Sequence, residues 1–442
     1  MDRFSVKQLI SLLTVTLAGV CWSVLFHQPL VIGFLPGYLI LVFLSKKNKQ
    51  SVMQIMQISI RGVYKTRIVI LILFLVSFIL PSWYLSGTID QMVKIALYFI
   101  HPDYFFVLTF VTALLFSMLL GTTVGTLSAI GIPILGTAVI LDLPTEVVAG
   151  ALVSGAFVGD RTSPFSSAHQ LLAHTLELPV KKQWNAMLFT TVIAVILSLL
   201  FYGAFDFFTA SKINHVAPLQ WGELSLIKFI PPLVLLLFVL FQLSILYAFL
   251  SSILCAAIIT LFEGTGISEI AHAFWFGIEG LGGGFLHMYE LLLFLALAGA
   301  YNGLLEELNV LQPYLDKWLQ RSTSLPRDTL KTLSATLLIS FIAANQTLPI
   351  ILTGRSFLPH WTSKYGKVEL ARVMGDTTML FPGMVPWSVL AIMCSTIVGI
   401  PILEYLPYAL FLWVLPFLTL GVSMFKHVRK SKRIAAAIGN GA

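Results

Sequence analysis

The chain has 442 residues, of which 57% are apolar and only 11% are charged, and its formal net charge is +7. Soluble domains carry about 25% charged residues, and the mean hydropathy here is +0.91. We therefore exclude a soluble globular protein, a secreted protein and a nucleic-acid binder. The three cysteines (Cys21, Cys255 and Cys394) show no paired spacing, so neither a disulfide framework nor a zinc site is indicated.

Long windows without charged residues predict the membrane spans. A span needs about 20 apolar residues, and these windows provide roughly ten to twelve spans. The sequence thus predicts an all-α polytopic membrane protein. The segment 147–159 has half the usual length, which is typical of a re-entrant or broken helix. In chain order the windows are 8–45 (two spans), 68–89, 104–141 (two), 183–205, 229–262 (two), 291–305, 332–354, 377–403 and 405–425.

Many of the lysines and arginines lie in a few clusters, near 46–49, 61–67, 317–331 and 426–433. The positive-inside rule places these clusters, and both termini, in the cytoplasm of a cell-membrane protein. The chain is then divided as follows: N-terminal helices with a basic cytoplasmic segment (1–66), a first transporter repeat (67–210), connecting helices (211–290), a second transporter repeat (291–425) and a basic cytoplasmic tail (426–442).

Several reaction classes are excluded by missing motifs. The pattern GxxxxGK[ST] is absent, so we expect no ATP-driven motor. Neither HExxH nor GxSxG occurs, so we do not expect an intramembrane hydrolase or any other enzyme. No cofactor is indicated. Gradient-driven transport and a channel are left, and paired broken helices favour a transporter that works by alternating access.

The two halves of the chain resemble each other weakly. Gly87 and Gly299 each stand near the end of a predicted span, and the pairs Gly159-Asp160 and Gly375-Asp376 follow them at spacings of 73 and 77 residues to the aspartate. Duplicated halves that meet at a site near the membrane midplane are a common plan of secondary transporters. The spacing therefore predicts two transporter repeats.

The first polar island runs from Ala149 to Ser167. Small residues over 149–156 allow close helix packing in lipid, and Pro164 removes a backbone donor and ends the helix. A helix interrupted at membrane depth frees carbonyl groups that need protein, water or an ion. Hard oxygen ligands suit a sodium ion, by analogy with other hard cations. The candidate ligands at this interruption are Asp160, Thr162, Ser163, Ser166 and Ser167.

The second polar island runs from Arg372 to Met379 and has the same character, a carboxylate and hydroxyls before a proline-interrupted apolar run. Two shorter polar interruptions lie inside apolar windows, one in 104–141 and one in 332–354. An intramembrane carboxylate costs about 2.5–3.5 kcal/mol on insertion scales, so Asp160 and Asp376 are the predicted sodium ligands. The further candidates for cation or substrate binding are Thr377, Thr378, Thr122, Thr123, Asn345 and Gln346.

These residues resemble the NhaC family of sodium/proton antiporters, over roughly Gly87 to Tyr408. The run from Ala149 to Ser166 is similar to the family signature AGAIxSGAxFGDKxSPxSDTT, and the segments around Arg372, Pro386-Trp387 and Tyr405–Tyr408 are similar to its LSR, PW and YxPY elements. The resemblance implies a homodimer, and it implies inverted repeats and re-entrant hairpins in each subunit. It also implies exchange of Na⁺ or another monovalent cation for protons.

Two acids of the family pattern are replaced in this chain. Ser167 stands where the family has an aspartate, and Gly375 stands where it has a glutamate. Family relatives include exchangers of small organic anions, so a changed site is compatible with a changed substrate. The alternative hypothesis is therefore Na⁺- or H⁺-coupled movement of a small organic anion or amino acid, with Arg161 or Arg372 pairing with it.

Overall fold

The computed structural model describes residues 4–26, 28–99, 102–209, 224–241, 243–279, 283–319 and 324–439. The secondary structure of these residues is helical, which confirms the all-α prediction. Before the central loop the helices are α1 (Val6–Leu25), α2 (Leu30–Lys47), α3 (Val52–Leu85), α4 (Thr88–Phe99), α5 (Phe105–Leu120), α6 (Thr123–Ile140), α7 (Thr145–Thr162), α8 (Ser167–Thr175) and α9 (Val180–Thr209).

After the central loop come three helices that connect the halves, and then the helices of the C-terminal half. The connecting helices are α10 (Ile230–Leu240), α11 (Ile245–Phe262) and α12 (Ile267–Phe276). The C-terminal half contains α13 (Phe285–Glu307), α14 (Gln312–Trp318), α15 (Leu325–Ala343), α16 (Thr347–Lys364), α17 (Lys367–Asp376), α18 (Phe381–Met384), α19 (Val389–Val398), α20 (Ile402–Tyr405) and α21 (Leu410–Gly439).

Eight helices of the described residues are long and apolar enough to cross a membrane: α1, α2, α3, α6, α9, α11, α13 and α21. A ninth span results if Lys367–Met384 and Val389–Val398, which meet at an angle of 59°, are counted together. The protein is thus a multi-pass membrane protein with a bent, re-entrant-like pair. The predicted number of about ten to twelve spans is larger, because the apolar helices Phe105–Leu120 and Leu226–Leu240 are shorter than a standard span.

Helix α7 forms the centre of the fold. It is a complete helix of 18 residues, where the sequence indicated a half-length segment, and each residue from Val147 to Thr162 is buried. Its glycines allow the neighbours to approach: a Cβ on Gly155 would lie 2.5 Å from the carbonyl oxygen of Phe110, and one on Gly150 would lie 2.6 Å from Cβ of Tyr408. The small residues of the first polar island therefore serve helix packing.

The predicted interruptions inside the apolar windows are confirmed. Helix α5 ends at Gly121, whose φ of 68° is left-handed, and α6 begins two residues later. In the C-terminal half, α15 ends at Ala344 with a φ of 50°, and α16 begins after Asn345 and Gln346. A left-handed residue is a common way to end a helix, because its amide can reach back to a carbonyl of the last turn.

The same order of elements occurs in both halves. A helix broken at a left-handed residue (α5–α6, α15–α16) is followed by a helix that ends close to an aspartate, at Asp160 in α7 and at Asp376 in α17. Elements of the two halves pack on each other in pairs: α16 on α8, α17 on α9 and α19 on α6. This order supports the two-repeat prediction, and the inverted relation of the repeats stays a prediction.

The predicted division into five segments also stays a prediction. The connecting segment 211–290 begins with residues 211–223, which lie outside the described residues, as do residues 280–282. In the basic tail the structure describes side chains as far as Arg429, and the predicted basic cluster near 317–331 includes residues 320–323, which also lie outside.

Candidate functional site

The beginnings of two helices, one from each half, lie at the same carboxylate. Thr122 is the N-cap of α6, and its side chain accepts a hydrogen bond from the Gly125 amide. Gln346 is the N-cap of α16, and Asn345 Oδ1 accepts from the Leu348 amide at 2.9 Å. Helix N-termini carry partial positive charge and unpaired amides. The position where these two helices begin is therefore suited to a negative group.

Asp160 is that negative group. Asp160 is 8% exposed and lies in the last turn of α7. Gln346 Nε2 donates to Asp160 Oδ2 at 3.1 Å and to the Met379 carbonyl at 2.9 Å. The backbone amide of Thr123 also donates to the Asp160 side chain. The carboxylate is thus held by neutral donors from both halves.

Thr123 contributes a second feature to this position. Its side chain is 1% exposed, and its hydroxyl oxygen Oγ1 is buried with no hydrogen-bond partner in the part of the chain that the structure describes. Buried polar atoms without a partner are uncommon, because their desolvation is left uncompensated. Thr123 thus brings an unpartnered hydroxyl to the residue whose amide bonds Asp160, and a hydroxyl oxygen with a carboxylate is the kind of hard ligand set that a small cation uses.

The hydroxyls of the first island support the backbone at the interruption. Thr162 Oγ1 donates to the Val158 carbonyl at 2.5 Å, and Ser163 Oγ donates to the Met118 carbonyl at 2.8 Å. Ser166 caps α8 and donates to the Asp160 carbonyl at 2.5 Å. Ser167 is exposed and lies outside this group of contacts. The structure therefore uses Thr162, Ser163 and Ser166 to hold Asp160 in place.

Asp376 lies in a different environment from the one predicted. It forms an ion pair with Arg161, and Oδ1 also accepts from Thr190 Oγ1 at 3.0 Å. Both members of the ion pair are 0% exposed. Asp160 and Asp376 share no hydrogen-bond partner among the described residues, and the Asp376 charge is compensated by Arg161. Asp376 Oδ2 is buried with no hydrogen-bond partner among the described residues. The geometry favours Asp160 as the site of a mobile ion, and the assignment of both aspartates as sodium ligands stays a prediction.

Arg161 and Arg372 are both occupied by internal partners. Arg161 Nε donates to the Gly375 carbonyl at 2.9 Å, and Nη1 donates to Thr191 Oγ1 at 2.5 Å. Arg372 pairs with Glu369 at 3.1 Å and donates to Ser423 Oγ at 2.8 Å. Both guanidinium groups are engaged by internal partners in this conformation, and the pairing of either arginine with an organic anion stays a prediction.

The remaining predicted hydroxyls bond within the C-terminal half. Thr377 Oγ1 donates to the Val373 carbonyl at 2.6 Å, in its own helix. Thr378 Oγ1 accepts from Thr336 Oγ1 at 2.8 Å, and Thr336 accepts from Thr353 at 3.3 Å. These residues join α15, α16 and the segment after α17. They are not hydrogen-bonded to Asp160.

The two replaced acids have different structural settings. Ser167 begins α8 at the surface. Gly375 is buried, and a Cβ added there would overlap the sulfur of Met187. A glutamate at 375 therefore does not fit beside Met187 without rearrangement, and the glycine allows α17 to approach α9.

Several residues at the interruptions were not found from the sequence. Thr190 and Thr191, which hold the Arg161–Asp376 pair, stand in an apolar span and give no local signal. Asn302 Nδ2 donates to the Ala343 carbonyl at 2.6 Å, and its Oδ1 is buried without a partner among the described residues. Ser388 Oγ, at the start of α19, is likewise buried without a hydrogen-bond partner among the described residues. Asn302 could have been found from the sequence, because it is a polar residue next to Gly303 in an apolar helix.

No group of three or more His, Cys, Asp or Glu side chains that could hold a metal ion occurs among the described residues. The site is thus a single carboxylate with neutral oxygen and nitrogen neighbours. Interrupted helices from two repeats around a buried carboxylate define an integral membrane transporter of the secondary, gradient-driven class.

The comparisons with known proteins identify the family. The model of the Na⁺/H⁺ antiporter family matches residues 155–426, more than half of the chain, so the chain belongs to that family. The Na⁺/H⁺ antiporter NhaC of Bacillus subtilis is 24% identical over 381 residues, which cover 81% of this chain and 84% of the relative. The prediction of NhaC-family membership is confirmed.

Two further proteins are similar over most of the chain. The malate-2H⁺/Na⁺-lactate antiporter of Bacillus subtilis is 26% identical over 433 residues, covering 91% of this chain and 90% of the relative. A solved structure of Neisseria gonorrhoeae MtrF, from a class of antimetabolite efflux pumps, matches with 12% identity and a TM-score of 0.38, covering 84% of each chain.

Proposed function

We propose that this protein exchanges Na⁺ for protons across the cell membrane, and that the two cargoes compete for Asp160. The observation that carries the proposal is the state of this carboxylate. It is buried, it is hydrogen-bonded by Gln346 and the Thr123 amide, and it has no cationic partner among the described residues. A cation or a proton would compensate its charge.

The other buried aspartates of the described residues have structural partners. Asp206 accepts from the amide of Phe106 at 2.8 Å and so caps α5. Asp328 accepts from His360 Nε2 at 2.9 Å and from Tyr365. Asp376 is paired with Arg161. Asp160 differs from these aspartates because it lies where the interrupted helices of both halves meet.

The chemistry of exchange follows from charge balance. An unpaired carboxylate in the membrane interior costs about 2.5–3.5 kcal/mol on insertion scales. With Na⁺ bound, or with a proton bound, the Asp160 position is neutral, and the helices around it can rearrange without that cost. When neither ion is bound, the charged carboxylate retains this free-energy cost, which disfavours rearrangement of the helices. One carboxylate therefore couples the two fluxes.

Neighbouring oxygens would complete the cation site. The unpartnered hydroxyl oxygen of Thr123 is the first of these. The fixed Arg161–Asp376 pair contributes no net charge and ties α7 to α17, so Asp160 supplies the one uncompensated charge of this region in the described residues. Na⁺ takes the role of a substrate here, bound in turn from each side of the membrane.

The test is Asp160→Asn in proteoliposomes that contain a pH-sensitive dye. Addition of Na⁺, and then separately K⁺ and Li⁺, should change the internal pH with the wild-type protein and not with the variant. Asp142→Asn is the matched control, because Asp142 is an exposed loop residue with a φ of 53°, a conformation that asparagine adopts readily. A Na⁺-dependent response of ordinary size in the Asp160→Asn protein would refute the proposal.

A second candidate function is coupled exchange of a small organic acid. It is favoured by the malate-2H⁺/Na⁺-lactate antiporter, which is similar over 91% of this chain. In this case Asp160 keeps its role as the cation site, and the organic anion needs a separate positively charged partner. Transport of radiolabelled lactate and malate by the same proteoliposomes distinguishes this candidate from simple cation exchange.

We also infer that both termini lie in the cytoplasm and that two subunits form a homodimer in the lipid bilayer. The basic residues near 46–49, 61–67 and in the last helix support the first inference through the positive-inside rule. The family resemblance supports the second. Thiol labelling at each terminus in intact cells tests the orientation, and light scattering of the purified protein tests the dimer.

A further inference from the structure

A wide cleft runs between α8, the turn that follows α8, and α16. Its volume is about 1260 Å³. Gln170 and His174 line it from α8, Glu177 lines it from the turn, and Ile351 and Arg355 line it from α16. A small-molecule site typically has a volume of about 300–1000 Å³, so this space is large enough for a hydrated solute.

The two helices that line the cleft, α8 and α16, both begin at residues that bond Asp160. Helix α8 begins at Ser166, which donates to the Asp160 carbonyl, and α16 begins at Gln346, which donates to the Asp160 carboxylate. Gln170, at the cleft wall, donates to the Pro164 carbonyl at 2.8 Å, within the link between α7 and α8. The cleft therefore lies between two helices whose first residues hold Asp160.

Arg355 is an uncompensated cation in this cleft. It is exposed, and it has no hydrogen bond or ion pair among the described residues. The acid on the same cleft, Glu177, is paired with Lys367 at 2.7 Å. Arg355 stands nine residues after Gln346, about 14 Å along the helix at 1.5 Å per residue. An exposed guanidinium without a partner in a cleft is free to bind an anion.

We infer that Arg355 binds a small soluble carboxylate in this cleft. The inference rests on the organic-acid candidate of the proposed function and gives that anion a site. A guanidinium holds a carboxylate through two parallel N–H···O bonds, and Arg161 and Arg372 are already occupied. His174 lines the same cleft and adds a second donor. The anion then lies between α8 and α16, the two helices that begin at the Asp160 position.

The experiment measures binding of [¹⁴C]malate and [¹⁴C]lactate to the purified full-length protein in neutral detergent, with Na⁺ present. Loss of charge-assisted hydrogen bonds should weaken binding by about 10- to 100-fold in Arg355→Gln. Arg355→Lys keeps the charge without the bidentate geometry and should be intermediate, which also controls for a folding defect. Arg67→Gln is the matched control, because Arg67 is an exposed arginine on α3, stacked on Tyr64.

Na⁺/H⁺ exchange without organic acids separates this inference from the proposed function. We expect Arg355→Gln to retain it, whereas Asp160→Asn loses it. Failure of the wild-type protein to bind either acid, or equal binding by Arg355→Gln, would overturn the carboxylate site while leaving cation exchange untouched. A lipid headgroup is the other source of anionic oxygen. An Arg355→Gln defect that appears only in liposomes with anionic lipid, with acid binding in detergent unchanged, would overturn the inference in favour of the lipid.

Discussion

The Arg161–Asp376 pair should be a structural ion pair, and its removal on one side should destabilise the protein. Asp376→Asn leaves the Arg161 guanidinium buried at 0% exposure without its charged partner. Breaking one side of a buried pair costs about 3–5 kcal/mol, because the remaining charge has lost its compensation. The hydrogen bonds of Arg161 to the Gly375 carbonyl and to Thr191 remain. We therefore expect the loss of stability to lie near the lower end of this range.

The double variant Arg161→Met/Asp376→Leu is the decisive comparison. Replacing both members of a buried pair by apolar residues of similar volume is often neutral, so the double variant should be more stable than Asp376→Asn. The assay is thermal unfolding of the purified protein in detergent, followed by tryptophan fluorescence, together with the Na⁺ dependence of exchange. A fully stable Asp376→Asn protein with greatly weakened Na⁺ affinity would refute the reasoning and make Asp376 a cation ligand.

Three further predictions follow from single contacts. Thr123→Val keeps the side-chain shape and removes the unpartnered hydroxyl of the residue whose amide bonds Asp160; we expect a weaker apparent Na⁺ affinity in the dye assay with unchanged stability, and an unchanged affinity would exclude Thr123 as a ligand. Gly159→Ala places a methyl group on the Ser117 backbone and should destabilise the α5–α7 packing by about 1–3 kcal/mol, whereas Gly421→Ala, with open space around it, should not. His174→Cys in a cysteine-free background should react with a membrane-impermeant thiol reagent from the cytoplasmic side, since His174 is exposed in the cleft; labelling only from outside would reverse the proposed orientation.

Local features of the sequence predicted the interruptions of the helices well. Gly121 and Thr122, and likewise Asn345 and Gln346, are polar or conformationally free residues inside apolar windows, and the helices end at them. Asp160 was identifiable because a carboxylate followed by Pro164 within an apolar segment has both an electrostatic cost and a helix-ending signal. These signals act over a few residues and need no knowledge of the tertiary fold.

Partners that are distant in the sequence were not predictable. Arg161 and Asp376 are 215 positions apart, and nothing near either residue indicates that they meet. The close packing of Gly375 against Met187 likewise joins residues that are distant in the sequence. The hydroxyls of Thr162 and Thr377 looked like cation ligands in the sequence, but each donates to a carbonyl of its own helix. Such local bonds compete with ligand binding, and the sequence alone does not decide the outcome.

The prediction of about ten to twelve spans and the eight or nine candidate spans of the described residues differ for a related reason. Windows of hydropathy measure apolar length, whereas broken helices such as α5 are short and are covered by neighbouring protein. Irregular backbone at membrane depth is tolerated where protein or water surrounds it. Helix α7 is the clearest example, because each residue from Val147 to Thr162 is buried and the helix is surrounded by protein.

The most direct test of the account is proton release on Na⁺ binding by the purified protein. In weakly buffered detergent solution at a pH where Asp160 is protonated, addition of Na⁺ to the wild-type protein should release protons, measured with a pH indicator, and KCl should serve as the ionic-strength control. Asp160→Asn should release none, and Asp376→Asn should still release them if it is stable enough to purify. Release that persists in Asp160→Asn and disappears in Asp376→Asn would contradict the central claim that Asp160 is the group shared by the two ions.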